Sequence, residues 1–341
     1  MENNLQLTRD AITLEMVAKE AGVSPSTVSR ILNGTATVSE DKRRAVELVI
    51  ARRNFKPNAM ARGLAKGRAM SIGVLTQFIE SPFYGEALRG IEDALAGTSF
   101  IPLFVSGHWD LKDEVERMTL LQARGVDGVI VLTGQLSDTQ LIEYARRMPI
   151  VITGRALQGH NLASLTVDDF KGGYQATEHL IQYGHTRIAY ISGPTNHPDS
   201  RERLRGYRQA LQDAGLPIDA ALILQGDFLE SGGALAINQL ISAGCEFTAV
   251  FAANDQMAYG ARLALYRLNL KVPDDISLIG FDDLPHSSTS LPPLPPVRQP
   301  VYDIGKIAAE AMLKLINGEA VTLAAPSLEL IIRESTRKLR P

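Results

Sequence analysis

The chain has 341 residues, 45% hydrophobic and 21% charged, with a net charge of −3 and a pI near 6.1, a composition able to bury a sizeable core. Its one cysteine, Cys245, excludes an intramolecular disulfide and a thiolate metal cluster, and no apolar run approaches the ~20 residues of a membrane span. Charge is unevenly spread: residues 1–69 hold 12 Lys and Arg against 7 Asp and Glu, whereas residues 70–341 hold 23 against 31. A basic head on an acidic body suggests where nucleic acid would sit. Met1 to Asp10 is polar and carries no export signal, which points to the cytoplasm.

The first elements in chain order are two short helices within TLEMVAKEAGVSPSTVSRIL, Thr13 to Leu32. Leu14, Val17 and Ala18 form the apolar stripe of the first, and Ala21-Gly22 supplies the small residue and positive φ of a tight turn. The second opens with Ser24 as N-cap and Pro25 at its first position, where the missing donor costs nothing. Val28, Ile31 and Leu32 face inward, while Pro25, Ser26, Thr27, Ser29 and Arg30 face outward. Asn33-Gly34 ends this helix, and a third begins at Ser39 with Glu40 and Asp41 favouring the positive end of its dipole. This is the pattern of a helix-turn-helix, whose second helix offers short side chains and one arginine to base edges. An ordinary three-helix corner would show similar spacing, and the basic charge of the head argues against it.

From Ser71 onward, short apolar runs alternate with amphipathic helices. Strands are predicted over Ser71–Thr76, Ile101–Val105, Gly128–Leu132 and Ile150–Thr153, with helices near Tyr84–Ala96, Lys112–Arg124 and Ser137–Arg147. A second set has strands over Ile188–Ser192, Leu222–Gln225, Ala249–Ala252 and Ile276–Ile279, with helices near Lys171–Tyr183, Arg203–Ala214, Gly232–Ala243 and Gln256–Leu268. Fully apolar strands separated by helices imply two parallel sheets, each covered on both faces. Leu291 to Pro300 holds five prolines and is expected to be an extended crossing, not a central strand. A last helix over Val301–Ile316 and a closing strand near Ser327–Arg333 follow, with three crossings between lobes.

Ligands of open α/β sheets bind beyond the carboxyl ends of the strands. That rule selects Gln77, Phe78, Ser81, Phe83 and Tyr84 after the first strand, His108 and Trp109 after the second, Arg155 after the fourth, and Asn254, Asp255, Asp282 and Asp283 after the later ones. Aromatic faces beside Asn, Asp, Gln and Arg suit a polyhydroxylated ring. One of Asn254 and Asp255 is expected to cap the following helix.

The runs TLEMVAKEAGVSPSTVSRILNG, KPNAMARGLAKGRAMSIGVL, GPTNHPDSRERLRGYRQAL, AANDQMAYGA and SLIGFDDLP, in this order from Thr13 to about Thr336, resemble the lactose-repressor and galactose-repressor (LacI/GalR) family of bacterial transcription regulators. The resemblance implies an α-helical helix-turn-helix DNA-binding head joined by a hinge helix to a two-lobed α/β domain like the periplasmic binding proteins, with parallel sheets and helices on both faces. It divides the chain into a disordered extension (1–12), the DNA-binding domain (13–56), the hinge helix and linker (57–69), and an effector-binding and dimerisation domain (70–341). The amino-terminal lobe would take about 70–163 and 297–323, the carboxyl-terminal lobe about 164–293 and 325–338.

Carried over by position, the resemblance places Pro25, Ser26 and Arg30 against bases, Thr27 and Ser29 against phosphates, and Thr13, Ser24 and Asn33 on the same DNA-facing surface. Pro25 offers only apolar contact, which shifts readout to Ser26 and Arg30. In the hinge, Pro57-Asn58 opens a helix whose Leu64 matches the leucine wedged into a minor-groove step, with Asn58 and Ala61 on the same face. A helix of this length is marginal alone, and Gly63 weakens it further, which suits a switch. For the effector, Arg203, Asn254 and Asp282 match the family's ligand-holding residues and Phe228 a stacking aromatic. Phe83 and Tyr84 lie on the amino-terminal lip, and Gln77, Arg155, His108 and Trp109 occupy variable positions. Gly154 stands where the lactose repressor has an aspartate, which disfavours a galactoside.

These matches imply a repressor of carbohydrate-utilisation genes, a homodimer on double-stranded operator DNA controlled by a small sugar or sugar phosphate, with no cofactor, metal or membrane partner. The alternative is a purine-type corepressor or another non-sugar metabolite. A transport solute-binding protein would need an export signal and has no use for the head. An enzyme would need a metal spacing, nucleophile elbow or phosphate-cradling loop that His179, His185 and His197 do not supply. The end of the chain, Arg337 to Pro341, has no leucine heptad, so a dimer rather than a tetramer is expected.

Overall fold

The computed structural model describes residues 12–33, 38–55 and 68–339. The expected extension before Ile12 and the hinge residues Asn58, Ala61 and Leu64 lie outside the described residues. The chain divides into two compact units, 1–70 and 71–341.

In the first unit, α1 (Leu14–Glu20), α2 (Pro25–Asn33) and α3 (Glu40–Arg53) enclose Val17, Ala18, Val28, Val46 and Val49. Thr13 caps α1, its Oγ1 accepting from the Met16 N–H at 3.3 Å. The turn after α1 needs φ +65° at Gly22, and the Val23 N–H closes back on the Ala18 carbonyl at 3.0 Å. This satisfies carbonyls that the helix end would otherwise leave without partners. Ser24 caps α2 as expected, accepting from the Thr27 N–H at 3.2 Å. Ser39 stands at the start of α3 without a side-chain capping bond. Glu20 ties α1 to α3 through Arg53 (2.9 Å) and Arg52 (3.7 Å).

The second unit begins with β1 (Ser71–Thr76), α4 (Pro82–Leu95), β2 (Ile101–Ser106), α5 (Leu111–Ala123), β3 (Gly128–Leu132), α6 (Asp138–Ala145), β4 (Ile150–Thr153) and β5 (Leu162–Leu165). These five strands form a parallel sheet of order β2-β1-β3-β4-β5. The β-branched runs are buried on both faces: Ile72, Val74, Ile130 and Leu132 pack under α4, while Leu75, Val129, Val131 and Ile152 pack under α5 and α6. Each such side chain contributes on the order of 1.5 to 3 kcal/mol by leaving water. The sequence reading missed β5, whose short edge run LASL follows Asn161 at φ +55°. The first sheet therefore reaches Leu165, past the expected lobe division at 163.

The second sheet has order β11-β10-β9-β8-β6-β7. The elements that follow β5 in the chain are α7 (Asp169–Gln182), β6 (Ile188–Ser192), α8 (Pro198–Asp213), β7 (Ile223–Gln225), α9 (Glu230–Ser242), β8 (Ala249–Ala252), α10 (Asp255–Arg267), β9 (Ser277–Asp282), α11 (Pro285–Thr289), β10 (Pro296–Arg298), α12 (Val301–Ile316), which packs on the first sheet, and β11 (Glu329–Leu330). All pair in parallel except β11, which runs antiparallel to β10. The short helix α11 was not expected.

The proline-rich segment corrects one expectation, because β10 lies inside the sheet between β9 and β11. The carbonyls of Pro295 and Pro296 accept from Gly280 and Ile331, and the donors lost at the prolines are supplied instead by the Gln299 N–H to the Asp282 carbonyl. A strand used mainly as acceptor tolerates proline, which the general depletion in central strands hides. The chain leaves the first sheet after β5, returns as α12 against α4, and crosses again to β11.

Three helix pairs, α4 with α12, α7 with α8, and α9 with α10, approach backbone to backbone. A Cβ on Gly90 would meet the Tyr302 carbonyl, and one on Gly305 the Ala87 carbonyl; Gly173 and Gly206, and Gly233 and Gly260, stand in the same reciprocal relation. Among the described residues no helix is long and apolar enough to cross a membrane.

Candidate functional site

On the head, α2 presents Pro25, Ser26 and Arg30 to solvent, with Thr27 and Ser29 partly covered. The Ser24 hydroxyl joins Ser26 Oγ at 2.8 Å and Thr27 Oγ1 at 2.9 Å. The Ser26 and Thr27 hydroxyls are therefore pre-positioned by the residue that caps the helix. Asn33 is the last residue of α2.

In the second unit, the carboxyl ends of the strands converge on a cleft of about 470 Å³. The first sheet changes strand order between β1 and β3 and the second between β6 and β8, the switch points where ligands of such folds lie. Phe78, Ser81, Phe83 and Tyr84 enter the cleft after β1, Trp109 after β2 and Thr133 after β3. Pro194, Asn196, His197, Asp199 and Arg203 enter after β6, Phe228 after β7, Asn254 and Gln256 after β8, and Asp282 at the end of β9.

Arg203 is the polar centre. It is 3% exposed; its Nε donates to Asp169 Oδ1 at 2.8 Å, its Nη1 donates to the Ala253 carbonyl at 2.5 Å and lies 3.7 Å from Asp282 Oδ1, and its guanidinium stacks 3.7 Å above the Phe281 ring. Burial works against this charge, yet Asp169, Asp282 and Asp199 together hold its pKa above the usual arginine value. The carboxyls are strained in the opposite sense. Burial pushes Asp282 up to about 7 and Asp169 up to about 6, both opposed by Arg203, and raises Asp199 as well. One buried cation serves two buried carboxyls, Asp169 and Asp282, and the partly exposed Asp199, so hydroxyl donors from a ligand would find acceptors here.

Asn254 is the residue that caps α10, its Oδ1 accepting from the Met257 N–H, while its Nδ2 donates to the Phe228 carbonyl at 2.9 Å. Asp255, fully buried, accepts from the Leu284 N–H and the Ser287 hydroxyl. It holds the turn that aims Asp282 and stands outside the cleft.

Aromatic rings form two groups. Phe83 meets Tyr84 edge to face at 5.3 Å, and the Tyr84 hydroxyl lies 3.3 Å from Thr133 Oγ1. Trp109, His197 and Phe228 meet in series, tilted at 4.2 Å and edge to face at 5.0 Å, joining the first lobe to the second. His197 is kept neutral, its pKa lowered to about 3 by burial and then by Arg203. Four non-glycine cleft residues, Trp109, Thr133, Phe228 and Asp282, have φ between +54° and +103°. Backbone held in that region costs of order 1 to 3 kcal/mol per residue and gathers at binding sites.

Five expected cleft residues, Gln77, His108, Arg155, Asp255 and Asp283, are placed elsewhere, Asp283 pairing with Arg298 and Arg333. Gln77 is fully buried, donating to the Thr133 carbonyl at 3.0 Å and accepting the Trp109 N–H at 2.8 Å. Arg155 donates to the carbonyls of Leu136 (2.7 Å) and Gly134 (2.5 Å) and pairs with Asp138 at 3.2 Å. Both lie where the strand-end rule puts them, but carbonyls of the neighbouring loops capture their polar groups, so they build the cleft wall. His108 turns to Asp113 at 3.3 Å. His197, Asp199 and Thr133 were missed. Asp199 lies one helical turn before Arg203, and Thr133 directly follows β3, so both were within reach of spacing alone.

A helix-turn-helix unit followed by two α/β lobes around a ligand cleft defines a class, the ligand-responsive DNA-binding transcription regulators. Residues 13–58 match "Bacterial regulatory proteins, lacI family" and residues 69–331 match "Periplasmic binding proteins and sugar binding domain of LacI family". The chain belongs to the lacI family. It is similar to the catabolite control protein A of Priestia megaterium, with 32% identity covering 96% of this chain and 99% of that one. Among solved structures it is similar to the lac repressor dimer bound to operator and the anti-inducer ONPF (TM-score 0.86, 28% identity, 96% of this chain and 100% of that one). It is also similar to the transcriptional regulator CelR in complex with cellobiose (TM-score 0.71, 32% identity, 95% and 99%).

Proposed function

We propose that this protein represses carbohydrate-utilisation genes as a cytoplasmic homodimer, with Pro25, Ser26 and Arg30 reading a pseudo-palindromic operator and a small saccharide binding around Arg203, Asn254 and Asp282. The observation that carries the ligand reading is the meeting of those three polar residues with two groups of aromatic rings in one cleft. Pyranose C–H faces stack on rings, while hydroxyls pair with carboxylate and amide groups. The ligand is bound and released unchanged. Closure of the lobes on it is coupled to DNA binding by the head, which requires different ligand affinity in the DNA-bound and free states.

Footprinting of the purified protein upstream of its own gene, with and without saccharides, tests the whole reading. Protection lost on adding a saccharide supports it. Calorimetric heat from a purine base and none from any saccharide would overturn the ligand assignment, and recovery of a chemically altered saccharide would overturn its passive role.

A further inference from the structure

Resting on that saccharide reading, we infer that the effector is an uncharged saccharide of two rings, and that the cleft rejects phosphate esters. Among the described residues lining it, Arg203 is the one cation, whereas Glu80, Asp199, Asp227 and Asp282 all contribute carboxylates. Arg203 already spends Nε on Asp169 and Nη1 on the Ala253 carbonyl. The other arginine near the cleft wall, Arg155, is committed to the carbonyls of Leu136 and Gly134. A phosphate dianion entering this cleft would meet four carboxylates and only the part of the Arg203 guanidinium that Asp169 and the Ala253 carbonyl leave over, and like charges at such range are strongly unfavourable in a partly desolvated site.

The neutral polar groups match hydroxyls instead. Ser81, Thr133, Asn196, Asn254 and Gln256 line the cleft with uncharged hydroxyl and amide side chains. Such groups can each donate to and accept from a sugar hydroxyl.

Size points to two rings. The cleft volume of about 470 Å³ equals that of about 16 waters at ~30 Å³ each, more than a single hexopyranose ring displaces. The two aromatic groups, Phe83 with Tyr84 and Trp109 with His197 and Phe228, provide one stacking face for each ring, and the Arg203, Asn254 and Asp282 set supplies the polar contacts of the same cavity.

The test is calorimetry on the full chain with sucrose, maltose, cellobiose and trehalose, the 6-phosphates of these sugars, glucose, ribose and hypoxanthine. One neutral disaccharide should bind, with its phosphate ester weaker by at least about thirtyfold and glucose and ribose weaker by at least about tenfold. Glu80→Lys, at an exposed position, adds a cation to the lip and should narrow the gap between that disaccharide and its ester. An ester that binds as well as its parent overturns the inference, as does silence from all four disaccharides. Binding of ribose or glucose alone overturns it while leaving the saccharide reading intact, and binding of hypoxanthine alone removes both.

Discussion

Replacing Asp282 by Asn isolates the electrostatic strain at the centre of the cleft. Burial pushes this carboxyl up to about 7 from 3.8, with Arg203 and the Gln299 side chain opposing the rise. A carboxyl whose folded pKa exceeds its unfolded one holds its proton more tightly in the native chain. Its contribution to stability is therefore complete below about pH 4 and is lost as pH rises through about 7. A shift of about 3 units, at 1.36 kcal/mol each, amounts to about 4 kcal/mol between those limits. Asparagine keeps the shape and an oxygen that can accept from Gln299 Nε2, now 2.9 Å from Asp282 Oδ1. Urea unfolding of both proteins at pH 4, 5, 6, 7 and 8 should show the variant gaining on the wild type by about 4 kcal/mol as pH rises. His197 titrates in the opposite sense, since its lowered pKa gives stability above about pH 6.5 that is lost as pH falls toward 3. It is present in both proteins and cancels in the difference. A difference that stays flat from pH 4 to 8 would refute the burial argument.

Three further outcomes are expected. Removing the shared cation in Arg203→Met leaves the buried Asp169 and Asp282 and the partly exposed Asp199 without it and should cost about 3 to 5 kcal/mol in denaturant unfolding at pH 8, with partial recovery at pH 5; a loss equal at both pH values would contradict the charge account. Gly206→Ala places a Cβ against the Phe170 carbonyl and 2.6 Å from the Tyr174 nitrogen, backbone that cannot yield, and should lower stability by about 1 to 3 kcal/mol, whereas an unchanged midpoint would show that the α7–α8 crossing has slack. Arg30→Ala should reduce the preference for operator over random DNA by about 1 to 3 kcal/mol in competition binding, and an unchanged ratio would remove Arg30 from base reading.

The strand cores were legible because their apolar runs are buried on both faces, and Val301–Ile316 was placed to the residue. Most helix starts were read late, by five residues at α8, because polar first turns such as PDSRE carry no apolar period, whereas α6 was read from its cap Ser137. The cap residues Asp110, Ser137, Asp168 and Asn254 mark where those turns begin. Position after a strand found Asn254 and Asp282, and the family resemblance added Arg203, but position gave no way to tell Phe83, which lines the cleft, from Gln77, which is captured by the neighbouring loops. That distinction depends on which carbonyls a folded loop leaves open. Gly154 shows the same limit from the other side: at φ +79° a Cβ there would run into the Thr133 side chain. The missing aspartate is therefore a matter of space as well as of chemistry.

The reciprocal glycines where α4 crosses α12, α7 crosses α8 and α9 crosses α10 have a mechanical consequence. Helices in contact through their backbones have no long side chains between them to bend, so each lobe behaves as a stiff plate. Work done by a ligand in the cleft is then not absorbed as local deformation, but goes into the angle between plates at the three strands of chain that join them. Loops at the rim can change their side chains to suit a different ligand without altering the lever that reads its presence.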